Sequence, residues 1–222
     1  AADNNTGTTQ AIVDATNALD RAVAVASAKA VATNPVSQET AVASAKENLD
    51  NILADSASTT DQIIAARDAL KDAVNDALEA RNNALTGADT ALNNAASSSA
   101  ALDSDVIAAQ KALQDAVASA NADTGTTAAV TAATEALNKA VADAQADQEA
   151  ARAAAAAAIA AMTPVSNEAN ILAAYKSLQD ILDMQNATAD EITNATTALT
   201  NATTTEKGTR GDAVTAADNA IT

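Results

Sequence analysis

The larger apolar side chains from Gln62 onward recur every three to four residues. They fall at Ile63, Leu70, Val74, Ala77, Leu78, Leu85, Ala88 and Leu92. A period near 3.6 places them on one face of an α-helix, whereas a half-buried strand would alternate polar and apolar residues. Thr59 and Gln62 have the spacing of a capping box at the start of this helix. We predict a helix of about 35 residues, roughly 50 Å long, which Gly87 weakens without breaking.

Similar apolar stripes recur through the rest of the chain. One runs from Val130 to Met162, and another runs from Ile192 through Leu199 and on to Ile221. Gly208 and Gly211 make the end of the last stripe the least regular of these helices. The pattern therefore predicts an all-α protein.

Long segments of the chain repeat. Subtracting 129 from the residue number places Pro164 on Pro35, Leu178 on Leu49, Leu199 on Leu70, Arg210 on Arg81 and Ile221 on Leu92. Half that offset recovers a third, more diverged copy, since Leu113 stands midway between Leu49 and Leu178. Self-similarity at a fixed period is the signature of a repeat architecture, so the repeating unit is about 64 residues long.

Each unit reads as three helices. The second helix opens after Ser37, Ser104 or Ser166, and the third opens after Thr59, Thr126 or Thr188. Serine and threonine suit the N-cap position, where a side-chain oxygen accepts from a free backbone N–H. No proline separates the third helix of one unit from the first helix of the next, so we expect the two to form one long helix.

We therefore predict tandem three-helix bundles joined end to end by long shared helices, as an elongated rod. The predicted modules span residues 9–80, 81–147 and 148–207, and residues 208–222 begin the first helix of a further module. Residues 1–8 are predicted to be a frayed N-terminus. The segment from Thr8 to Val23 resembles a third helix that runs into a shortened first helix ending at Pro35.

Composition changes this picture in two ways. The hydrophobic 48% consists mostly of alanine, with 67 Ala against 37 Val, Ile and Leu, so we expect ordered helices with thin cores. The net charge of −17 repels phosphate backbones and anionic lipid surfaces, which argues against nucleic-acid and acidic-lipid binding. The longest apolar run, Ala153 to Met162, is too short for a membrane span, so we expect no membrane insertion.

The chain offers few residues for catalysis. It has no Cys and no His, which removes thiolate nucleophiles, the commonest general base and the commonest metal ligands. We therefore predict no enzyme, with no catalytic residue, no cofactor site and no metal site. Tyr175 is expected to be partly exposed on a helix surface, because its counterpart in the repeat is Lys46.

Four arginines stand in comparable stretches, namely Arg21, Arg81, Arg152 and Arg210. They are compatible with a recurring anion contact, but we favour solvent-facing pairs with Asp or Glu on the same helices. The acidic groups Asp103–Asp105 and Asn121–Asp123–Gly125 lack the ligand spacing of a calcium loop and are interpreted as caps and turns.

Two further patterns carry no predicted site. Asn-x-Thr triplets occur at Asn4, Asn186, Asn194 and Asn201, and we interpret them as a consequence of the threonine-rich composition. The polyalanine stretch from Ala153 to Ala158 is interpreted as a close-packing helix surface, with docking of a partner helix as the alternative.

The motif A-L-x-x-A-V recurs at Ala18–Val23, Ala69–Val74, Ala112–Val117 and Ala136–Val141. Tandem units of this length with this motif resemble the FIVAR repeats of Gram-positive surface proteins, including giant extracellular-matrix-binding adhesins. The resemblance implies three-helix bundles in an extracellular protein attached to the cell wall. Such repeats also occur as accessory modules of secreted carbohydrate-active enzymes.

We expect the chain to be an internal, monomeric segment of an adhesin stalk, which projects a distal binding region away from the wall. The uniform acidity would keep a long rod soluble. The alternative is a binding module whose repeated helix faces contact a host extracellular-matrix protein, such as fibronectin, or another surface protein. A weaker alternative is an accessory module of a secreted glycosidase.

Overall fold

A computed structural model describes residues 9–163 and 165–221, and these residues fold into seven helices without a strand. The helices are α1 Thr9–Lys29, α2 Thr40–Ala54, α3 Thr60–Ser97, α4 Ser104–Asn121, α5 Thr127–Ala161, α6 Ala169–Leu182 and α7 Ala189–Ile221. The prediction of an all-α protein is confirmed. The predicted frayed segment 1–8 and the repeat match at Pro164 lie outside the described residues.

Three of the helices are long. The helix α3 has 38 residues and α5 has 35, and α3 continues through Gly87 as predicted. The helix α7 has 33 residues and includes Gly208 and Gly211, so the predicted irregularity at its end does not interrupt it. The helix α1 ends at Lys29, not at Pro35 as predicted. A proline disfavours helical backbone in the residue before it, and the chain leaves the helix well ahead of that residue, Asn34.

The third-helix caps are confirmed. The Thr59 Oγ1 accepts from the Gln62 backbone N–H at 3.2 Å, and the Gln62 Oε1 accepts from the Thr59 N–H at 2.7 Å. Thr188 and Glu191 form the same reciprocal pair at the start of α7. At α5, the Thr126 Oγ1 accepts from the Ala129 N–H at 3.3 Å.

The prediction that Ser37, Ser104 and Ser166 cap the second helices is wrong. A turn precedes both α2 and α6, closed by bonds from the Glu39 N–H to the Val36 O and from the Glu168 N–H to the Val165 O. Both valines are buried in the cores, and each turn carries the chain from its buried valine to the first residue of the helix. At α4 the cap is one residue earlier than predicted, because the Asp103 Oδ1 accepts from the N–H of Asp105.

The chain divides into two compact units. The first unit is the chain up to Ala88 together with Gln114–Ala132, and the second is Asp89–Leu113 together with the chain from Ala133 onward. The division into three modules therefore stays a prediction. The first core consists of Ala24, Ala28, Val36, Val42, Leu49, Ile63, Ala66, Leu70 and Val74. The second core consists of Ala151, Ala155, Val165, Ile171, Leu178, Ala187, Ile192, Ala195 and Leu199.

The two cores repeat each other at most positions. From Val36 to Leu70 each member of the first core has a buried aliphatic counterpart in the second core at the constant offset found in the sequence, for example Leu49 at Leu178 and Leu70 at Leu199. At the same offset, Val74 corresponds to the buried Thr203, and Ala187 corresponds to the buried Ser58. The first helices follow a shorter offset, which matches Ala28 to Ala155. Two extra residues between Ala155 and Val165 account for the difference. Burying a Leu or Ile side chain contributes about 1.5–3 kcal/mol, so these few residues dominate each core.

Candidate functional site: two polar junctions

Two long polar side chains, Arg81 and Gln148, are buried, and each lies at the centre of a polar junction inside one unit. The first polar junction consists of Arg81 and Asp123 with their partners in the loop between α1 and α2. The second polar junction consists of Gln148 with its partners Ser99 and Ala187. Buried polar groups need hydrogen-bond partners, so these side chains fix the loops that they contact.

Arg81 is the centre of the first polar junction and is only 5% exposed. Its Nη1 donates to the Pro35 carbonyl oxygen at 2.8 Å, and its Nη2 donates to the Asn121 Oδ1 at 3.1 Å. Both acceptors are neutral. The prediction of a solvent-facing pair with Asp or Glu is therefore wrong for Arg81, and its burial also leaves no open anion contact.

The position of Arg81 on α3 explains its burial. It follows Ile63 by roughly five whole helical turns, so it lies on the same face as Ile63 and Leu70. The backbone thus places a cation in line with the apolar stripe. Burying a charge without a counter-charge is costly, and the two hydrogen bonds offset part of that cost.

Asp123 ties the loop between α4 and α5 to the loop between α1 and α2. Its Oδ1 accepts from the Ser37 N–H at 2.9 Å, and its Oδ2 accepts from the Ser37 hydroxyl at 2.6 Å. Next to it, the Glu39 Oε1 accepts from the Thr127 N–H at 2.5 Å. Two carboxylates therefore accept hydrogen bonds across the same pair of loops.

The backbone conformation at the end of α4 determines the position of the Asp123 side chain. Asp123 has a φ of 56°, in the left-handed region, just after α4 ends. The N–H groups of Thr124 and Gly125 both donate to the Ser119 carbonyl oxygen, which closes the end of the helix. A Cβ on Gly125 would lie 2.9 Å from the Ser119 Cβ, so the close turn requires glycine. The interpretation of Asn121–Asp123–Gly125 as turn residues is confirmed.

Gln148 is the centre of the second polar junction and is also 5% exposed. Its Nε2 donates to the carbonyl oxygens of Ser99 and Ala187, both at 3.0 Å. Its Oε1 accepts from the Ser99 hydroxyl at 2.8 Å. All the polar atoms of the amide are therefore in hydrogen bonds.

Arg81 and Gln148 occupy equivalent positions. Gln148 follows Arg81 by the same interval at which Leu137 follows Leu70. Their acceptors also correspond, since the sequence offset from Pro35 to Ser99 equals the offset from Leu49 to Leu113. Sequence reasoning missed Gln148, although the sequence carries a signal. This residue follows Val130 by roughly five whole helical turns and so is a polar residue on an apolar stripe.

Arg21 and Arg152 bond the loops that follow the second helices. Arg21 donates to the carbonyl oxygens of Ser58 at 3.2 Å and Asp55 at 3.3 Å. Arg152 donates to those of Leu182 at 2.9 Å and Met184 at 3.2 Å. Basic side chains at helix C-termini satisfy carbonyls that lack a helical partner, so the acceptors here are backbone oxygens where carboxylates were predicted. Arg210 lies in the exposed end of α7.

The second polar junction is bordered by open polar grooves. One groove, of about 400 Å³, is lined by Ser97, Ser98, Ser99, Ala101 and Gln185 among others. Another, of about 570 Å³, includes Arg152 and Gln148. Ala101 corresponds to Ser37, because the sequence offset between them equals the offset from Pro35 to Ser99. The hydroxyl that binds Asp123 in the first junction therefore has no counterpart at this position.

Tyr175, the asparagines of the Asn-x-Thr triplets and the polyalanine stretch are the remaining candidates from the sequence. Tyr175 is half-buried against the second core, and its hydroxyl oxygen accepts from the Gln179 side chain. Three of the Asn-x-Thr asparagines are exposed, namely Asn186, Asn194 and Asn201. The fourth, Asn4, lies outside the described residues. In the polyalanine stretch Ala155 is fully buried and Ala158 partly so, which confirms a packing surface along one face.

Neither a metal-binding group nor a membrane-crossing helix is found in the part of the chain that the structure describes. In residues 9–163 and 165–221, no three His, Cys, Asp or Glu side chains come together as a metal-binding group. Within the same residues, no helix combines the length and apolar character that crossing a bilayer requires.

The chain matches no protein-family model, no curated protein and no solved structure.

Proposed function

We propose that the chain is a non-enzymatic repeat segment of a bacterial cell-surface adhesin and acts as a spacer. In this proposal three-helix bundles of FIVAR type follow one another as an extended rod, which holds a distal binding region away from the cell wall. The observation that carries the proposal is the recurrence of a buried hydrogen-bonding side chain at Arg81 and Gln148, at the same place in the repeat.

A spacer needs resistance to bending, and two features support this property in the proposal. The helices α3 and α5 are continuous over 38 and 35 residues, so each is about 50–57 Å long. Beside each helix, the Arg81 or Gln148 side chain bonds backbone oxygens of the loops. These acceptors are neutral, and salt screens charge pairs at the surface far more than buried hydrogen bonds. We therefore expect the junctions to keep their geometry over a wide range of ionic strength.

Charge supports the same function. The net charge of −17 keeps neighbouring copies apart in solution, which suits a segment that separates other domains. A binding module would need a patch of aromatic or cationic anchors, since such residues dominate interface energies. The chain has one Tyr and no Phe or Trp, and Arg21, Arg81 and Arg152 are engaged with backbone or amide oxygens of the chain itself.

Titration of the chain against fibronectin, with biolayer interferometry as the readout, tests the spacer function. We expect no saturable binding up to about 100 µM, a concentration at which even a weak module of repeated patches would give a signal. The matched control is the chain with α7 residues Glu206, Asp212 and Asp218 changed to lysine, which reports non-specific charge effects. Saturable binding by the unchanged chain would favour the binding-module alternative and contradict the spacer function.

A further inference from the structure

A groove in the first unit lies between the end of α1 and α3. It has a volume of about 480 Å³. We call it the basic groove, and its lining includes Ser27, Val31, Arg67, Lys71, Val74 and Asn75. The two valines supply apolar surface, and the other four side chains are polar. The groove therefore combines positive charge with apolar surface, in a chain whose net charge is −17.

Lys71 differs from three other lysines that lie inside helices. Lys46, Lys139 and Lys176 each form an ion pair with the aspartate four residues further along. Four residues after Lys71 stands Asn75, which is neutral and also lines the groove. Within residues 9–163 and 165–221, Lys71 forms no ion pair. Its ammonium group is therefore available to a ligand in the groove.

Arg67 joins α3 to α1 at the groove. Its Nη1 donates to the Ser27 hydroxyl oxygen at 2.9 Å, and its Nε and Nη2 donate to the Asp68 Oδ1 at 2.8 and 2.6 Å. These bonds use only part of the N–H groups of the guanidinium, so others remain for a ligand. The Ser27 oxygen accepts here, which leaves its hydroxyl hydrogen for an acceptor in the groove. Asp68 balances the charge of Arg67, so Lys71 supplies the net positive charge.

The second unit forms the equivalent core without these cations. At the constant offset between the two cores, the three polar residues that α3 contributes to the groove all correspond to threonines of α7, namely Thr196, Thr200 and Thr204. The hydroxyl of each threonine donates to the backbone carbonyl four residues earlier. Ser27 corresponds to Ala154 by the offset of the first helices. The packing of a unit therefore does not require Arg67 and Lys71 at their positions.

The charge of the chain favours a ligand with a single negative charge. Repulsion from the net charge of −17 grows with the charge of the ligand, so a phosphate or a polyanion is repelled more strongly than a carboxylate. The single unpaired ammonium of Lys71 matches one carboxylate. The apolar surface of Val31 and Val74 favours a carboxylate that carries an aliphatic side chain.

The end of α1 favours a ligand that also has a backbone N–H. Ala30, Val31 and Ala32 follow Lys29, the last residue of α1, and all three line the groove. The last carbonyls of a helix lack helical partners and carry partial negative charge, so they suit a hydrogen-bond donor. The ligand N–H would then lie on the side of α1 and the carboxylate on the side of Lys71. These two groups stand together in the C-terminal residue of a peptide.

We propose that the basic groove binds the C-terminal residue of a peptide. Lys71, Arg67 and the Ser27 hydroxyl contact the carboxylate, and Val31 and Val74 contact an aliphatic side chain. This binding site goes beyond the spacer function and does not rest on it. It gives the first unit a contact that the threonines of the second unit cannot make.

Titration of the isotope-labelled chain with N-acetyl-alanyl-valine tests the site, with heteronuclear NMR as the readout. We expect saturable shifts of the backbone amides around the groove, such as those of Ser27, Val31 and Lys71. Half-saturation should lie at roughly 1 mM, an ordinary affinity for a ligand of this size. The same peptide with a C-terminal amide should bind at least about tenfold more weakly, because it lacks the charge that Lys71 binds.

Two variants locate the binding. Lys71→Thr should weaken it at least about tenfold, whereas Lys46→Thr, which removes an equal charge on α2, should bind as the unchanged chain does. The double variant Arg67→Thr with Lys71→Thr has at both positions the residues that α7 carries, so we expect a folded chain without binding. Lys71 is exposed, so Lys71→Thr alone decides the matter where the double variant does not fold.

Equal binding of the acid and the amide peptides would overturn the proposal, as would unchanged binding by Lys71→Thr or the absence of saturable shifts. Inorganic phosphate, titrated in parallel, should bind at least about tenfold more weakly than the peptide, because its larger charge is repelled more strongly. Equal or tighter binding of phosphate would make the groove a general anion site and would also overturn the proposal. The fibronectin titration stays about tenfold below the half-saturation expected here, so binding of the peptide leaves the spacer function intact.

Discussion

The two polar junctions solve the same structural problem with different chemistry. In the first, a guanidinium donates to the Pro35 carbonyl, and in the second a neutral amide donates to the equivalent Ser99 carbonyl. Both central side chains are 5% exposed. What the two junctions share is therefore a long side chain with at least two donors on the apolar face, and only one of the two side chains carries a positive charge.

The surroundings of the two junctions differ more than their centres. Around Arg81, the carboxylates of Asp123 and Glu39 accept from Ser37 and Thr127 and tie the adjacent loops together. Around Gln148, the corresponding loops are separated by an open groove of about 400 Å³. The hydrogen bonds of Asp123 and Glu39 are thus found at the junction whose central side chain, Arg81, is charged.

The largest expected effect tests whether the two cores are equivalent. We expect Leu70→Ala and Leu199→Ala each to lower the free energy of unfolding of their own unit by about 2–5 kcal/mol, because both leucines are almost fully buried and leave cavities. Denaturant-dependent hydrogen exchange resolves the two units. Leu172→Ala, at a leucine that is 50% exposed, serves as the control and should cost far less. A large loss at one leucine and a small loss at the other would break the equivalence.

Removal of the central side chains comes next. Arg81→Ala and Gln148→Ala should each destabilise the chain by about 1–3 kcal/mol, because buried acceptors lose their donors. Arg81→Gln should recover part of the loss, since an amide serves at the equivalent position. Urea unfolding followed by circular dichroism measures all three, with the exposed Lys176→Ala as the control. If Arg81→Gln were as damaging as Arg81→Ala, the charge itself would be required at the first junction.

Two glycines should respond with opposite signs. We expect Gly125→Ala to destabilise the first unit by about 1–2 kcal/mol, because the new Cβ would lie 2.9 Å from the Ser119 Cβ. At Gly87 in α3 a Cβ meets nothing within 4 Å, so Gly87→Ala should stabilise the chain by about 0.5–1 kcal/mol through helix propensity. Thermal unfolding of both variants checks this pair, and a stabilising Gly125→Ala would show that the turn relaxes easily.

The smallest expected effect comes from building a counterpart of the hydrogen bond between Ser37 and Asp123 at the second junction. Ala101 and Gln185 line the same groove at the second junction, and Ala101 corresponds to Ser37. The double variant Ala101→Ser with Gln185→Asp should place a hydroxyl opposite a carboxylate and stabilise the second unit by about 0.5–1 kcal/mol. Each single variant is the control and should have no effect. If the double variant gained no more stability than the sum of the two single variants, no new hydrogen bond would have formed.

The sequence predicts the helices well because the apolar positions contrast with their neighbours. Ile63, Leu70 and Val74 mark the face of α3 by size alone, and Ile192 and Leu199 mark the face of α7 in the same way. Threonine caps are equally legible, because Thr59 and Thr188 each precede Gln or Glu by three residues. These features depend on residues close together in the chain.

The first helices are harder to predict. Alanine occupies both the buried position Ala155 and the exposed positions beside it, so no contrast marks the face that packs. The two extra residues of the second copy are therefore invisible in that alanine run, and they show only in the burial of Ala151 and Ala155. Leu85 and Leu92 illustrate the same limit, since alanines take the fully buried positions near them.

The junctions could be predicted only in part. The phase of Arg81 places it on the apolar stripe, but its partners Pro35 and Asn121 are 46 and 40 residues away in the chain. A helical pattern assigns a face and does not identify a distant carbonyl on that face. Local pairing with Asp or Glu was the interpretation available from sequence spacing, and the tertiary contacts replaced it.

Small-angle X-ray scattering on the unmodified chain tests the spacer function most directly. A compact globule of this length has a radius of gyration of about 17 Å, and an unfolded chain has one of about 50 Å. The spacer proposal predicts a value above about 30 Å with the distance distribution of a rod about 100 Å or more in length. A value near the compact limit would contradict it, because a segment folded back on itself cannot hold other domains apart.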